Sequence, residues 1–169
     1  MSAPTVTDVD PLALERQVCF ALAVTNRAVL AVYRPLLEPL GLTHPQYLVM
    51  LALWDHRKVS SESSSRSPSR SPLSVKQIAT ALQLDSATLS PMLKRLEGLG
   101  FVTRTRSTTD ERATDVELTE AGIELRERAL DIPPTVVARL GGDMAELEQL
   151  HAALTRINAA ALAAGALKP

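Results

Sequence analysis

The length, composition and charge of the chain exclude several classes of protein. Its 169 residues are 46% hydrophobic and 22% charged, which is typical of one globular domain, and its one cysteine excludes an intrachain disulfide framework and a cysteine zinc site. The formal net charge is −1, but residues 54–112 carry ten cations and six anions, and this basic middle between acidic ends predicts a surface that binds nucleic acid.

The N-terminal residues, MSAPTVTDVDP, lack the basic and apolar regions of a signal peptide. Charges or prolines interrupt the apolar runs before they reach membrane-spanning length. A single cysteine also fits a reducing compartment. We therefore expect a soluble cytoplasmic protein, with no membrane partner and no metal or organic cofactor.

A long helix is predicted at the start of the N-terminal helical segment, residues 11–56. Asp10-Pro11 is a favourable helix start, with the aspartate as N-cap and the proline in the first turn. Apolar residues then recur at helical period from Leu14. The helix is expected to reach about Tyr33, because Pro35 disfavours helical geometry in the residue before it.

Two further helices are predicted in the same segment. A short one fits residues 35–40 and ends at Gly41, a natural C-cap. The next begins after Thr43 as N-cap and continues past Trp54. Tyr47 and Trp54 are expected to lie in the core.

Residues 59–72 have the sequence VSSESSSRSPSRSP and nothing to bury. This composition predicts a flexible, solvated linker. Its two Arg-Ser-Pro units are candidates for DNA contact or phosphorylation, but the linker interpretation is favoured.

Residues 74–118 have the pattern of a helix-turn-helix followed by a β-hairpin. The sequence at 74–77, Ser-Val-Lys-Gln, is a capping box for a short helix, and a three-residue turn leads to a second helix. Pro91 allows the second helix to begin at Asp85 with a kink, or at Ser90; the spacing to the first helix favours Asp85. Its expected buried stripe consists of Leu89, Met92, Leu93, Leu96 and Leu99.

Alternating residues predict a β-hairpin after the helix-turn-helix, and capping residues predict the helices of the C-terminal segment. Cations alternate along one face of residues 101–106, a polar tip follows at 107–113, and residues 114–118 return as a second strand; this pattern predicts a β-hairpin, the wing. In the C-terminal segment, residues 119–164, Thr119 caps a helix that Pro133-Pro134 breaks or bends. Asp143 caps a last helix that is rich in alanine and leucine.

The candidate DNA contacts lie on the second helix of the helix-turn-helix and on the wing. Small hydroxyls at a helix N-terminus can approach base edges and phosphates closely, and the helix dipole favours anions there. Arginines on a hairpin suit phosphate contact or insertion into a narrow minor groove. Each cation alone fits a solvated surface equally well, but together, beside a helix-turn-helix, they favour DNA binding. The candidates are Ser86, Thr88, Ser90, Lys94, Arg95, Arg104, Arg106 and Arg112.

Several sequence blocks carry a family resemblance. They are LDSATLSPMLKRLE (84–97), GFVTR (100–104), DER (110–112), LTEAG (118–122), CFAL (19–22), YRPLL (33–37), LTHPQYL (42–48) and DIP (131–133). The first four blocks resemble the MarR family of winged-helix regulators, and the others resemble its organic-hydroperoxide-sensing branch, the OhrR repressors. The inserted tract at 59–72 departs from the short turn that the family usually has there.

The resemblance implies a single mainly α-helical domain over residues 1–169 with a small β-wing. This winged helix-turn-helix would dimerise through its N- and C-terminal helices. It implies a homodimeric repressor that binds an inverted-repeat operator in double-stranded DNA. Each recognition helix would lie in a major groove, and Arg112 at the wing tip would lie in a minor groove.

The resemblance also implies that Cys19 senses organic hydroperoxides. In the family two tyrosines serve the cysteine; Tyr33 matches one, and His44 holds the position of the other. Oxidation would give a sulfenic acid, and in the absence of a second cysteine a small cellular thiol is the expected partner for a mixed disulfide. Cys19 and Tyr33 lie fourteen residues apart on one predicted helix, about 21 Å, so Tyr33 would act from the other subunit.

Other interpretations of these residues stay open at this point. A lone cysteine on an apolar helix face is most often an inert core residue. The alternative function is therefore a regulator switched by a bound phenolic or other small ligand, with Cys19 incidental. An enzyme is not expected: a one-cysteine thiol peroxidase needs Pro-x-x-x-Thr-x-x-Cys, whereas Leu-Glu-Arg-Gln-Val precedes Cys19.

Overall fold

The computed structural model describes residues 10, 12–63, 72–107, 110, 112–141 and 143–166, without the side chains of 59–63. Within these ranges the chain is mainly helical with a small antiparallel sheet, so the predicted fold class is confirmed. Short 3-10 helices at Leu14–Arg16 and Glu38–Leu40 flank the first helix. The other elements are α1 (Val18–Leu37), α2 (His44–Ser63), β1 (Leu73–Ser74), α3 (Val75–Leu82), α4 (Ser86–Gly98), β2 (Val102–Arg106), β3 (Thr114–Leu118), α5 (Glu120–Ala129), α6 (Ile132–Leu140) and α7 (Met144–Ala163).

The core joins the C-terminal end of α1 to the helix-turn-helix and the wing. Its fully buried side chains come from α1, α2, α3, α4, both long strands and α5, so the helix-turn-helix and the hairpin pack on the N-terminal helices. Tyr47 and Trp54 are 2% and 5% exposed, so their predicted place in the core is confirmed. The largest fully buried side chains are Tyr47, Leu37, Met50, Ile78, Leu89, Leu93, Leu96, Leu125, Val49, Val102 and Val116.

The first helix differs from its prediction at both ends. It begins at Val18 rather than near Asp10, whose carboxylate instead accepts the backbone N–H of Leu12 at 2.9 Å; Pro11 lies outside the described residues. It also continues through Pro35 to Leu37, where a helix end at Tyr33 and a separate helix at 35–40 were expected. Leu37 is only 1% exposed, and its burial outweighs the backbone hydrogen bond that the proline removes. Gly41, at φ 70°, ends the following 3-10 turn as expected.

The inserted tract is not a linker throughout. Helix α2 continues to Ser63, so residues 59–63 are helical, and Leu73–Ser74 then forms a short strand that was not expected. Leu73 pairs with Val116, which gives the sheet the order β1-β3-β2 among the described residues. Residues 64–71, with the two Arg-Ser-Pro units, lie outside the described residues.

The helix-turn-helix forms as its capping residues predict. Ser74 accepts the Gln77 backbone N–H at 3.2 Å, and the Gln77 side chain accepts the Ser74 N–H at 2.8 Å, which completes the capping box. Asp85 caps α4 by accepting the Thr88 backbone N–H at 2.7 Å, so the helix begins at the earlier of the two predicted starts and includes Pro91. Leu89, Leu93 and Leu96 are fully buried, and Met92 and Leu99 pack against them.

Helix α5 lies close to the root of the wing, which is the segment Gly100-Phe101 directly before β2. Thr119 caps it by accepting the Gly122 N–H at 3.0 Å. A Cβ at Gly122 would overlap the carbonyl oxygen of Phe101, so glycine permits this close approach. Helix α5 ends at Ala129, and α6 begins at Ile132 with Pro133-Pro134 near its start, so the predicted interruption is confirmed. Asp143 caps α7 as predicted.

The terminal helices leave apolar surface uncovered. No side chain of α7 is buried by the described chain, and the N-terminal half of α1 exposes apolar residues. The stretch Val18–Leu40 has a mean hydropathy of 1.2 and is long enough to span a membrane, although Arg27, Arg34 and Pro35 interrupt it. This candidate span rests on length and composition alone. A helix that packs its apolar face on other parts of a protein meets the same criteria.

Candidate nucleic-acid interface and sensor residues

The N-terminal turns of α4 present hydroxyl groups on an exposed surface. Ser86, Thr88 and Ser90 are all exposed, as expected for a recognition helix. The Thr88 hydroxyl donates to Asp85 Oδ2 at 2.8 Å, and the Ser90 hydroxyl donates to the Ser86 carbonyl at 2.7 Å. The backbone N–H and the hydroxyl of Thr88 together lower the pKa of Asp85. Both donated hydroxyl protons are therefore used within the helix, and the hydroxyl oxygens keep lone pairs for donors on DNA bases.

The cationic candidates are not equivalent. Lys94, Arg95, Arg106 and Arg112 are exposed, and the Arg112 backbone N–H donates to Asp110 Oδ1 at 3.0 Å beside the wing tip. Arg104 is different: its Nε and Nη2 donate to Glu97 Oε2 at 2.9 and 2.6 Å.

The Arg104–Glu97 ion pair joins β2 to the end of the recognition helix. The hydrogen bond from Arg104 lowers the pKa of Glu97. A carboxylate already engages the Arg104 guanidinium, which distinguishes it from the other cationic candidates. Sequence reasoning missed Glu97, since nothing in a seven-residue separation identifies a contact between a helix and a strand.

Tyr33 and His44, both sensor candidates, lie side by side. Their ring centroids are 4.8 Å apart in an edge-to-face arrangement, and the Tyr33 and Tyr47 centroids are 5.9 Å apart. Burial raises the pKa of Tyr33 and lowers the pKa of His44. At neutral pH both rings are uncharged, and the phenol O–H and an imidazole N–H are the donors that this pair offers.

Cys19 does not join this pair within one chain. It is exposed in the first turn of α1, and Tyr33 lies fourteen residues further along the same unbroken helix. This separation is about 21 Å along the axis. The three predicted sensor residues therefore divide into an exposed thiol at one end of α1 and a half-buried Tyr33–His44 pair at the other.

A cleft of about 260 Å³ opens between α2, α5 and α6. Aromatic and aliphatic side chains line it together with charged ones, and sequence reasoning did not identify it. Its lining residues are Tyr47, Leu51, Trp54, Asp55, Lys58, Arg126, Ala129, Leu130 and Pro133. No group of three or more histidine, cysteine, aspartate or glutamate side chains that could hold a metal occurs in the described part of the chain.

Two short helices joined by a tight turn, an exposed recognition surface and a two-stranded wing define a winged-helix DNA-binding protein. Residues 31–128 match the family model described as transcriptional regulator SarA/Rot. The organic hydroperoxide resistance transcriptional regulator of Bacillus subtilis is 42% identical over 145 residues, which cover 86% of this chain and 89% of that protein. The chain belongs to the MarR family of winged-helix transcriptional regulators, as a member of the OhrR type.

Solved structures agree with this assignment. Reduced AbfR bound to DNA superposes with a TM-score of 0.68 and is 28% identical, with 87% of this chain and 91% of that chain covered. The disulfide form of AbfR is 30% identical with a TM-score of 0.57, and covers 85% of this chain and 91% of its own. AbfR comes from Staphylococcus epidermidis. The structural relatives thus include a DNA-bound regulator in its reduced form and the same protein in an oxidised form.

Proposed function

We propose that this regulator is a homodimeric repressor that releases its operator when an organic hydroperoxide oxidises Cys19. The observation that carries the proposal is the position of the only thiol of the chain. It is exposed on an uncovered apolar helix, while the two rings able to donate hydrogen bonds to it are paired at the far end of that helix. A second subunit packed antiparallel along α1 would bring these two ends together.

The uncovered apolar surface supports such a dimer. Contiguous exposed apolar patches on soluble proteins mark interaction surfaces. Most of the exposed large apolar side chains lie on or beside α1 and the C-terminal helices. They include Val18, Phe20, Leu22 and Val24 on α1, and Leu140, Met144, Leu150 and Ile157 on α6 and α7.

The sensing reaction needs only the peroxide and a thiol. The Cys19 thiolate attacks one peroxide oxygen, the O–O bond breaks, and the second oxygen leaves as an alcohol after taking a proton. The sulfur is oxidised by two electrons to sulfenic acid, and the peroxide is reduced by the same two electrons. A small cellular thiol then attacks the sulfenic sulfur, which forms a mixed disulfide and releases water.

Tyr33 and His44 from the partner would serve this reaction as neutral hydrogen-bond donors. A thiolate is stabilised by donors or positive charge nearby. Burial lowers the pKa of His44, so an N–H donor rather than an imidazolium is the expected form at neutral pH. A bulky group on the sulfur would displace both rings, because packed interiors do not deform continuously.

DNA binding would follow from the two recognition helices and the two wings of the dimer. Ser86, Thr88 and Ser90 would approach base edges in the major groove, and Lys94 and Arg95 would contact phosphates. Arg106 would contact phosphate along the wing, and Arg112 would enter the minor groove. Two-fold symmetry of the protein predicts an inverted repeat with half-sites about one helical turn apart.

The decisive experiment is a gel shift with Cys19→Ser on the promoter beside the protein's own gene. The serine hydroxyl is nearly isosteric with the thiol but is not oxidised by hydroperoxide, so this variant should bind the operator as the wild type does and stay bound after cumene hydroperoxide is added. The wild type should be released, and dithiothreitol should restore its binding. If the serine variant is released too, oxidation of Cys19 is not the switch.

Mixed dimers test the contribution of the partner subunit. One chain carries both Cys19→Ser and Tyr33→Phe, and the other is wild type at both positions. The only thiol of this heterodimer then faces phenylalanine, so its rate of oxidation should fall below that of one wild-type site. An unchanged rate would show that Tyr33 does not act across the interface.

The second candidate function is a regulator switched by a small phenolic ligand, which the cleft on α2 favours. Tyr47 and Trp54 give it an aromatic floor, and Lys58 and Arg126 place cationic groups at its rim. Such a ligand would release Cys19→Ser and the wild type alike. Titration with 4-hydroxybenzoate, with Trp54 emission and operator release as the two measurements, separates this mechanism from oxidation.

A further inference from the structure

We infer that Trp54 transmits the oxidation state of the sensor to the wing through a single hydrogen bond to the start of α5. This inference rests on the proposed redox function and identifies the route by which the sensor would act on DNA binding. Trp54 belongs neither to the proposed sensor pair, Tyr33 and His44, nor to the candidate DNA contacts, so its role would be that of a positioning residue.

An aromatic column leads from the sensor pair to Trp54. Tyr33 contacts His44, with ring centroids 4.8 Å apart, and also contacts Tyr47 at 5.9 Å. Tyr47 in turn packs edge-to-face against Trp54, with centroids 6.3 Å apart. Tyr47 and Trp54 lie seven residues apart on the same face of α2, so the column follows that helix for two turns.

The far end of the column is fastened to the root of the wing. Trp54 Nε1–H donates to the Gly122 carbonyl at 2.8 Å, across 68 residues of sequence. Gly122 lies in the first turn of α5, directly against the Phe101 backbone. The Phe101 carbonyl accepts the Thr119 N–H at 3.1 Å, and the Thr119 hydroxyl donates to the Gly100 carbonyl at 2.6 Å.

The recognition helix α4, the wing and α5 therefore meet near the carbonyl group to which Trp54 donates. The recognition helix α4 ends at Gly98, β2 begins at Val102, and α5 begins at Glu120. The hydrogen bonds of Thr119 hold the loop between α4 and β2 against α5. A movement of α5 relative to α2 would therefore act directly on the loop that joins the recognition helix to the wing.

The Tyr47 and Trp54 rings of the column are buried, and they border open space where they line the cleft between α2, α5 and α6. Tyr47 is 2% exposed and Trp54 is 5% exposed, and no Cβ would fit at Gly122. Close-packed interiors transmit strain, and small shifts become discrete rearrangements. If oxidised Cys19 displaces the partner's Tyr33 and His44, then Tyr47 and Trp54 must repack. The Trp54–Gly122 hydrogen bond is the contact that carries this change to the wing.

The first test compares Trp54→Phe with Tyr47→Phe. Both variants keep a ring in the column, but only Trp54→Phe removes the donor to Gly122. For each, operator dissociation constants are measured by fluorescence anisotropy for reduced protein and for protein oxidised with cumene hydroperoxide, with oxidation of Cys19 confirmed by intact mass. The informative quantity is the ratio of the two constants, because a general loss of structure weakens both.

We expect the ratio of the wild type to be about tenfold or more, within the usual range for coupled sites. Trp54→Phe should lower this ratio by about threefold to tenfold, the effect of one hydrogen bond, while Cys19 oxidises at the normal rate. Tyr47→Phe should keep the ratio of the wild type. A Trp54→Phe ratio equal to that of the wild type overturns the inference, whereas a wild type that oxidant does not release overturns the proposed function instead.

The second test uses no variant of Trp54. It therefore tests the transmission through Trp54 even if Trp54→Phe does not fold. Trp54 is the only tryptophan of the chain, so protein fluorescence reports on this position alone. In DNA-free protein, oxidation should change the Trp54 emission maximum or intensity, and Cys19→Ser should show no change. If the wild type is oxidised and releases DNA while its emission stays constant, the transmission through Trp54 is refuted.

Discussion

Gly122→Ala is the most direct test of the close contact between α5 and the wing. The added Cβ would overlap the Phe101 carbonyl oxygen and lie 3.2 Å from a methyl group of Leu118. The carbonyl belongs to the backbone and also accepts the Thr119 N–H, so it cannot rotate away as a side chain would. Helix α5 must therefore move away from the wing root.

The size of the effect follows from three contributions. Overpacking of a buried contact costs about 1–3 kcal/mol. Loss of the Trp54 hydrogen bond to Gly122 costs about 0.5–1.5 kcal/mol more. Alanine recovers about 1 kcal/mol relative to glycine in a helix. The expected net loss in the free energy of unfolding is therefore about 0.5–3.5 kcal/mol.

The assay is urea unfolding followed by circular dichroism, at one protein concentration for all variants because the proposed dimer would gain stability with concentration. Gly98→Ala is the matched control. Gly98 ends α4 with nothing within 4 Å of its added Cβ, so this variant should be as stable as the wild type or about 0.5 kcal/mol more stable. If Gly122→Ala is as stable as Gly98→Ala, α5 moves without cost and the close contact does not fix the wing.

Three further predictions concern DNA binding and pH. Arg112→Ala should weaken DNA binding most on operators with A·T pairs beneath the wing, because an arginine in the minor groove reads the width of that groove. Fluorescence anisotropy on A·T-rich and G·C-rich sites measures the two affinities. An unchanged affinity on the A·T-rich site would contradict the prediction. Lys94→Gln should weaken binding to all DNA sequences and lower the slope of log affinity against log salt concentration by about one for each phosphate contact removed. An unchanged slope would show that Lys94 does not contact a phosphate. Burial lowers the pKa of His44 below its ordinary 6.5, so the unfolded chain takes up a proton first as the pH falls. Stability should therefore decrease as the pH drops through the window just below 6.5, and His44→Gln should reduce that decrease in urea midpoints measured between pH 7.5 and 5.

The sequence predicts those features that depend on residues close together in the chain. The capping box at Ser74, the cap at Asp85 and the cap at Thr119 each join groups within three residues, so local sequence is enough to place the helix starts. The buried stripe of α4 follows from helical period in the same way. Most of the candidate DNA-binding surface was predictable for this reason, because exposed hydroxyls and cations beside a helix-turn-helix need no distant partner.

Contacts between distant residues were decided only by the tertiary structure. Helix α1 passes through Pro35 because Leu37 is buried in the core, which local propensity does not reveal. The engagement of Arg104 by Glu97, the Tyr33–His44 pair and the Trp54–Gly122 hydrogen bond each join different elements. Their energies depend on how helices and strands pack, and no spacing along the chain encodes that geometry.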